Sequence, residues 1–226
     1  MGFRYEERRS ASPFVDVIWR TIDESDGVYL AAADACYDMI FTTLPDAAAR
    51  VLLSGPATRP TEVPYDAGNR NVGIRFTRGT YFTHVDPIEM RNRTISLSMP
   101  DRSTFELAGA TWRFPSFDDA DDLLDAFDRR GLLAHDPLVD AALGGAVTDV
   151  SARSIQRHFR HATGLSPHRV EQIERARAAA ARLRAGEAIA DVAYELGFSD
   201  QSHLTRDVKR LTGYTPGQAQ HRDEPV

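Results

Sequence analysis

The chain has one cysteine, Cys36, in 226 residues. A single thiol excludes an internal disulfide framework and any cysteine-based zinc cluster. It suits a reducing cytoplasm, and in an apolar stretch it is expected to be an inert small core residue. Long hydrophobic runs are missing too, and none approaches the length of a membrane span. The start, MGFRYEERRS, is charged. It offers neither the apolar core of an export signal nor the Ser/Thr of a myristoylation signal. There is no Gly-x-Ser-x-Gly elbow and no phosphate-binding glycine loop, and no carboxylate pair is marked as catalytic by its spacing. These absences point away from a membrane protein, a secreted disulfide scaffold and the commonest enzyme classes.

Positive charge is scarce as well. The chain carries 27 Lys+Arg against 33 Asp+Glu, a net charge of −6. That argues against a nucleic-acid partner until it is divided. Residues 1–149 hold 15 basic and 24 acidic side chains, a net −9. Residues 150–226 hold 12 and 9, a net +3, together with five of the seven histidines. Local basicity governs phosphate contact more than the total does. The excess is modest, so salt-sensitive binding with weak non-specific affinity is expected. The 42% hydrophobic and 27% charged content is that of a globular protein, long enough for one large or two small domains.

Up to about residue 115 the pattern is that of short strands. Residues 14–19 form one apolar-rich run, and Tyr37, Met39 and Phe41 alternate within a second. Val51-Leu52-Leu53 makes a third, and residues 72–76 and 94–99 alternate cleanly. Gly55-Pro56, Pro60, Pro64, Gly68-Asn69, Pro87 and Pro100-Asp101 punctuate between them. This spacing predicts a small barrel or sandwich, with a short helix over residues 81–90. Trp19, Tyr29, Tyr37, Phe41, Phe76, Tyr81 and Trp112 are either pocket lining or, more commonly for such residues, plain core. His84-x-Asp86 is half of a cupin-type metal site without its second histidine, so no metal is expected there.

From Ser116 the chain turns helical. Ser116 is expected to cap a helix that carries Asp118, Asp119, Asp121 and Asp122 in its first turns and Arg129-Arg130 in its last. Ala120, Leu123, Leu124 and Phe127 make its inner face, and the acidic run is a solvated, dipole-favoured start. Residues 132–145 suggest another short helix, with Leu138, Ala141 and Ala142, ending at Gly144-Gly145. Pro167 suits a first helical position. Val170, Ile173, Ala176, Ala180 and Leu183 then form a stripe that Gly186 ends. Those 18 residues would span roughly 27 Å.

The stretch IADVAYELGFSDQSHLTRDVKRLTGYTP, residues 189–216, organises the rest. Ile189, Val192, Ala193 and Leu196 form one apolar stripe. Gly197 supplies the turn, Phe198 plugs the angle, and Ser199 is expected to cap a second helix with Asp200 in its first turn. Leu204, Val208 and Leu211 point inward, leaving Gln201, Ser202, Thr205, Arg206 and Lys209 outside. This is a helix-turn-helix pattern whose outer side chains suit base edges and phosphates. An ordinary helical hairpin would look similar, but the pattern recurs. Residues 155–167 align without a gap on 204–216, so that Arg157 matches Arg206, Arg160 matches Lys209, Thr163-Gly164 matches Thr212-Gly213, and Pro167 matches Pro216.

The two units and the helix between them resemble the DNA-binding domain of AraC/XylS-type transcription regulators. The residues that carry the resemblance are Ser151-x-Arg153-x-Ile155-Gln156-Arg157-x-Phe159, Thr163-Gly164-x-Ser166-Pro167, Ala193-x-x-x-Gly197-Phe198, Leu204-x-Arg206 and Thr212-Gly213-x-Thr215-Pro216. They cover about a third of the chain. The resemblance implies two helix-turn-helix units reading successive major-groove segments. Its DNA-contacting residues would be Arg153, Gln156, Arg157 and Arg160 in the first unit, and Gln201, Ser202, Thr205, Arg206 and Lys209 in the second. The first unit departs from the family, because about one helix is missing before residue 151. It is therefore expected to be poorly supported or propped by the N-terminal part. His158 and His161 stand at i, i+3, with the rest of a metal site not visible, and are expected to face phosphate or solvent.

The expected fold is α+β: a β-rich small barrel or sandwich domain over residues 1–115, linking helices over 116–145, and an all-α double helix-turn-helix domain over 146–220. The function this favours is a sequence-specific, double-stranded-DNA-binding transcription regulator, activator or repressor, with no cofactor. By the resemblance, its N-terminal domain senses a small-molecule effector or forms a homodimer. The alternatives are a cupin-like enzyme with a fused helical domain, and a helix-turn-helix module that binds protein. The tail after Pro216 is polar and expected to fray.

Overall fold

The computed structural model describes residues 2–46, 48–147 and 149–220. Its first half is built from strands β1 (Phe3–Arg8), β2 (Val15–Asp23), β3 (Gly27–Ala31), β4 (Asp38–Thr43), β5 (Ala49–Ser54), β6 (Thr61–Tyr65), β7 (Arg70–Phe76) and β8 (Thr80–Phe82). Helix α1 (Pro87–Met90) and strands β9 (Thr94–Leu97), β10 (Thr104–Leu107) and β11 (Ala110–Arg113) follow. Six strands form an antiparallel sheet in the order β1-β2-β7-β4-β5-β9, and β3–β6 and β10–β11 are separate pairs.

Alternation along the strands gives the large sheet two different faces. Ile18, Met39, Phe41, Val51, Leu53, Ile74 and Phe76 point to one side and are almost wholly buried. Helix α2 (Ala120–Arg129) closes that side with Leu123, Leu124 and Phe127, and Trp112 meets Phe127 edge-to-face at 4.7 Å. On the other face Trp19, Asn71, Arg75, Ile40 and Leu52 look into a cavity of about 290 Å³, roofed by the β3–β6 pair. Gly73 makes room for this arrangement, since a Cβ there would overlap the Trp19 ring. Of the aromatic residues singled out from the sequence, Trp19 and Tyr29 line the cavity, whereas Tyr37, Phe41, Phe76 and Trp112 are core.

Several local expectations are corrected. Residues 81–90 are not one helix, because Tyr81 belongs to β8 and Asp86 caps the four-residue α1. Ser116 is not the cap of α2: it and Asp119 bond each other's backbone N–H, and the helix starts one turn later. Residues 132–145 split into β12 (Leu133–His135), which pairs back onto β8, and α3 (Pro137–Leu143), whose buried residue is Val139. Pro64 is not a loop residue but sits in β6, a strand with one hydrogen-bonded neighbour, where a missing N–H is tolerated. The charged start is itself a strand, at the edge of the sheet.

The helical half continues with α4 (Ala152–Thr163), α5 (Pro167–Arg184), α6 (Ile189–Glu195), α7 (Gln201–Thr212) and α8 (Pro216–Ala219). Ser151 and Ser166 cap α4 and α5 through their hydroxyls, and Pro167 opens α5. At the start of α7 the cap is Asp200, not Ser199, with its carboxylate accepting from the His203 N–H at 2.7 Å. Residues just past Pro216 do not fray, since a capping box between Thr215 and Gln218 holds α8. The rest of the tail, residues 221–226, lies outside the described residues.

The two helical units have different cores. Ala179, Ala180, Leu183, Val192, Ala193, Phe198, Leu204 and Val208 make the second entirely from α5, α6, α7 and the turn at Phe198. The first gathers Phe159, Ala162, Leu165, Val170 and Ile173, but is completed by Val139 of α3 and by Ala33 and Ala35 from the β3–β4 loop. The N-terminal half thus fills the place of the helix that this unit lacks.

Candidate nucleic-acid interface

Helix α7 owes its orientation to Leu204, Val208 and Leu211, all fully buried. That fixes Gln201, Ser202, Arg206 and Lys209 on the opposite, exposed side, with Thr205 half-buried at its edge. The side chains of Gln201 and Lys209 make no hydrogen bond or ion pair among the described residues, and the Arg206 guanidinium donates only to the Ser202 carbonyl, one turn back, at 3.2 Å. The remaining polar residues of α7 are spent internally. Arg210 donates to Asp207 at 2.8 Å, and His203 stands 3.3 Å from the same carboxylate. Burial opposes the charge on Asp207, but Arg210 and His203 outweigh it and hold its carboxyl below the ordinary range.

Helix α6 is anchored by Arg182 of α5, which bonds both Glu187 and Glu195. Gly197 then turns the chain with φ of +70°, and Phe198 is buried in the angle under the Arg175 guanidinium, 5.0 Å from its ring centroid. The unit is therefore a helix, a glycine turn and a second helix with a polar and basic outer face.

In the first unit, Phe159 is fully buried and turns Arg153, Gln156, Arg157 and Arg160 to the surface. Arg157 and Arg160 border an open groove with Thr83, His84 and Ile88 of the N-terminal half, whereas Arg153 and Gln156 stand clear of it. The two histidines of α4 also make contacts across the chain: His158 Nδ1 lies 2.6 Å from Asp136, and His161, exposed as expected, has its Nε2 3.1 Å from the Tyr81 hydroxyl. They tie α4 to the strand side of the molecule, contacts that spacing within one helix could not reveal. Among the described residues no group of three His, Cys, Asp or Glu is placed to hold a metal ion. No helix among them is long and apolar enough to cross a membrane.

Each unit is also docked to the N-terminal half at its C-cap glycine. Gly164, φ +68°, lies so close to α1 that a Cβ would overlap the Pro87 carbonyl, and Gly213, φ +85°, is covered by Leu30 of β3 and by Pro60. The Ala33 N–H donates to the Leu211 carbonyl at 2.7 Å, and the Tyr214 hydroxyl to the Leu30 carbonyl at 3.4 Å. Arg169 of α5 donates to the Thr58 carbonyl.

A helix-turn-helix domain family matches residues 145–222. No curated protein sequence matches the chain. Among solved structures it is similar to ToxT from Vibrio cholerae: one structure is 11% identical, with 97% of this chain and 98% of that chain covered, at a TM-score of 0.41. A ToxT structure with an unsaturated fatty acid bound is 10% identical, covers 94% and 97%, and has a TM-score of 0.45. The family match falls on the duplicated, basic units whose outer faces have just been described. Residues 145–222 are therefore a helix-turn-helix domain.

Proposed function

We propose that the protein binds a specific double-stranded site by setting α7 in one major groove, and that a small molecule in the N-terminal cavity adjusts this binding. Gln201, Ser202, Thr205 and Arg206 read base edges, and Lys209 holds a phosphate. Arg153, Gln156, Arg157 and Arg160 of α4 lie in or against the adjacent groove. The observation that carries this reading is the row of exposed side chains on α7, which its buried stripe aims outward and which the protein itself hardly uses. Arginine suits guanine and glutamine suits adenine, and both are side chains with spare donors.

Modulation by an effector is supported by strand β3. Tyr29 and Ala31 line the cavity, while Leu30 between them packs on Gly213 at the end of α7. One strand therefore presents alternate residues to the cavity and to the recognition helix. A ligand that fixes the β3–β6 pair acts on the pose of α7 through Leu30.

The test is selection from a randomised duplex pool, followed by binding of the enriched site over a range of salt. Arg206→Ala is expected to cost about 1–3 kcal/mol on that site and to relax its specificity. Lys209→Ala is expected to weaken all sequences alike and to lower the salt slope by about one. Equal losses on specific and random DNA from both variants would overturn the assignment of roles.

A further inference from the structure

The cavity floor carries more than its aromatic walls. Asp23, Asp34 and Asp38 line it and are 4%, 7% and 9% exposed. Arg75 lies between two of them, 3.3 Å from Asp34 and 3.1 Å from Asp38, and Arg177 of α5 reaches Asp34 at 3.8 Å. Asp23 has no such partner: among the described residues it forms no ion pair, and it accepts only from neutral groups such as the Asn71 amide at 3.2 Å. Among the described residues Asp23 is thus the buried carboxylate of the floor without an ion pair, while Arg50 and Arg93 line the cavity from exposed positions at its rim and Arg50 tempers the Asp23 charge.

Beside Asp23 stands Asn69. The Asp23 N–H donates to its carbonyl at 2.9 Å. Its side chain is 1% exposed and lines the cavity, yet neither amide atom has a hydrogen-bond partner. An amide left unpaired at this depth is costly unless something in the cavity completes it. Above lie Phe3, Tyr5, Trp19, Tyr29 and Tyr65. Phe3 meets Tyr29 and Tyr65 edge-on at 6.2 and 5.5 Å, and Tyr5 stacks on Trp19 at 6.4 Å. Aromatic faces attract cations most where water is excluded.

We infer that the effector is a small organic ammonium ion with an apolar or aromatic body, its charge held by Asp23 and the aromatic walls and its hydrogen bonds completed by Asn69. This rests on the proposal that the cavity holds an effector. The carboxylate of Asp23 is pushed up from its ordinary range, first by burial, which a bound cation would relieve. The volume, about ten times a water molecule's share of the liquid, limits the guest to a small molecule. An anionic guest at this depth would face the carboxylate of Asp23, since Arg75 is already taken and Arg50 and Arg93 stand exposed at the rim.

The experiment is calorimetric titration of the full chain with three probes of one shape: 2-phenylethylamine, 2-phenylethanol and phenylacetate. The amine is expected to bind at least tenfold more tightly than the alcohol, and phenylacetate not to bind. Asp23→Asn should bring the amine down to the level of the alcohol. The wild-type series decides the matter even if that variant folds poorly. Equal binding of amine and alcohol, or tighter binding of phenylacetate, overturns the cationic class and leaves an effector cavity standing. Binding of none of the three counts against both. If the amine binds as expected but the affinity for the selected DNA site does not change, the ligand class stands and modulation of DNA binding falls.

Discussion

Asp38 shows two opposed effects on one side chain. Burial raises its pKa and Arg75, 3.1 Å away, lowers it. Burial wins, and the carboxyl is pushed up to about 6. In the unfolded chain the same group titrates near about 3.9. As pH rises from about 4 to about 6, the unfolded chain has lost this proton and the folded protein still holds it. The contribution of Asp38 to stability is therefore full below the unfolded value and is lost as pH rises through the folded one. Denaturation midpoints measured across that window should show a downward component with pH that Asp38→Asn removes. Parallel profiles for variant and wild type would mean that Asp38, which shares Arg75 with Asp34 while Arg177 reaches Asp34, does not carry this proton. At this scale, features set by the local sequence were readable in part and contacts across the chain were not. The expected caps Ser116 and Ser199 gave way to Asp119 and Asp200, while Pro167 was readable as the first residue of α5. The contact of His158 was not, because its partner Asp136 lies 22 positions away.

Among elements, the turn from α4 to α5 is the most constrained. Gly164 needs a left-handed backbone and also has no room for a side chain beside the Pro87 carbonyl. Gly186, at the end of α5, has φ of +89° with open space around it. Gly186→Ala should cost about 1 kcal/mol, for the backbone alone. Gly164→Ala should cost more than that and should also loosen α1 from α4, because fixed backbone cannot yield as a side-chain end can. Urea midpoints of the two variants check the order, and equal losses would mean that α1 is not held there. The second unit was legible in the sequence because its stripe of Val192, Leu204 and Val208 closes within about 30 residues. The first was legible as a repeat that needs a prop from the N-terminal part, but the residues of that prop were not, because Ala33 and Ala35 come from the far side of the chain. Likewise β6 was hidden by Pro64, which signals a turn everywhere except in a strand with a free edge.

Across the whole molecule, strand and helical halves meet at both C-cap glycines and along α5. Arg177 of that helix pairs with Asp34 in the cavity, so the floor of the cavity and the helix joining the two units share a charge pair. Leu30→Ala would keep the cavity lining intact while removing the contact on α7. It should cost only about 1–2 kcal/mol, since Leu30 is half-buried. Its larger effect should appear in binding: ligand affinity is expected to persist while the response of DNA affinity to ligand shrinks. Paired titrations of ligand and operator would detect this, and an undiminished response would place the coupling on Arg177 and Asp34 instead.

The alternation of Tyr29, Leu30 and Ala31 along β3 also bears on redesign. Cavity-lining and helix-facing positions sit on opposite sides of one strand, and the exposed side chains of α7 lie on a third surface. Under the proposed function, a library varied at Tyr29 and Ala31 retunes a biosensor to a new ligand while keeping its DNA site, and one varied at Gln201 and Arg206 moves it to a new DNA site while keeping its ligand.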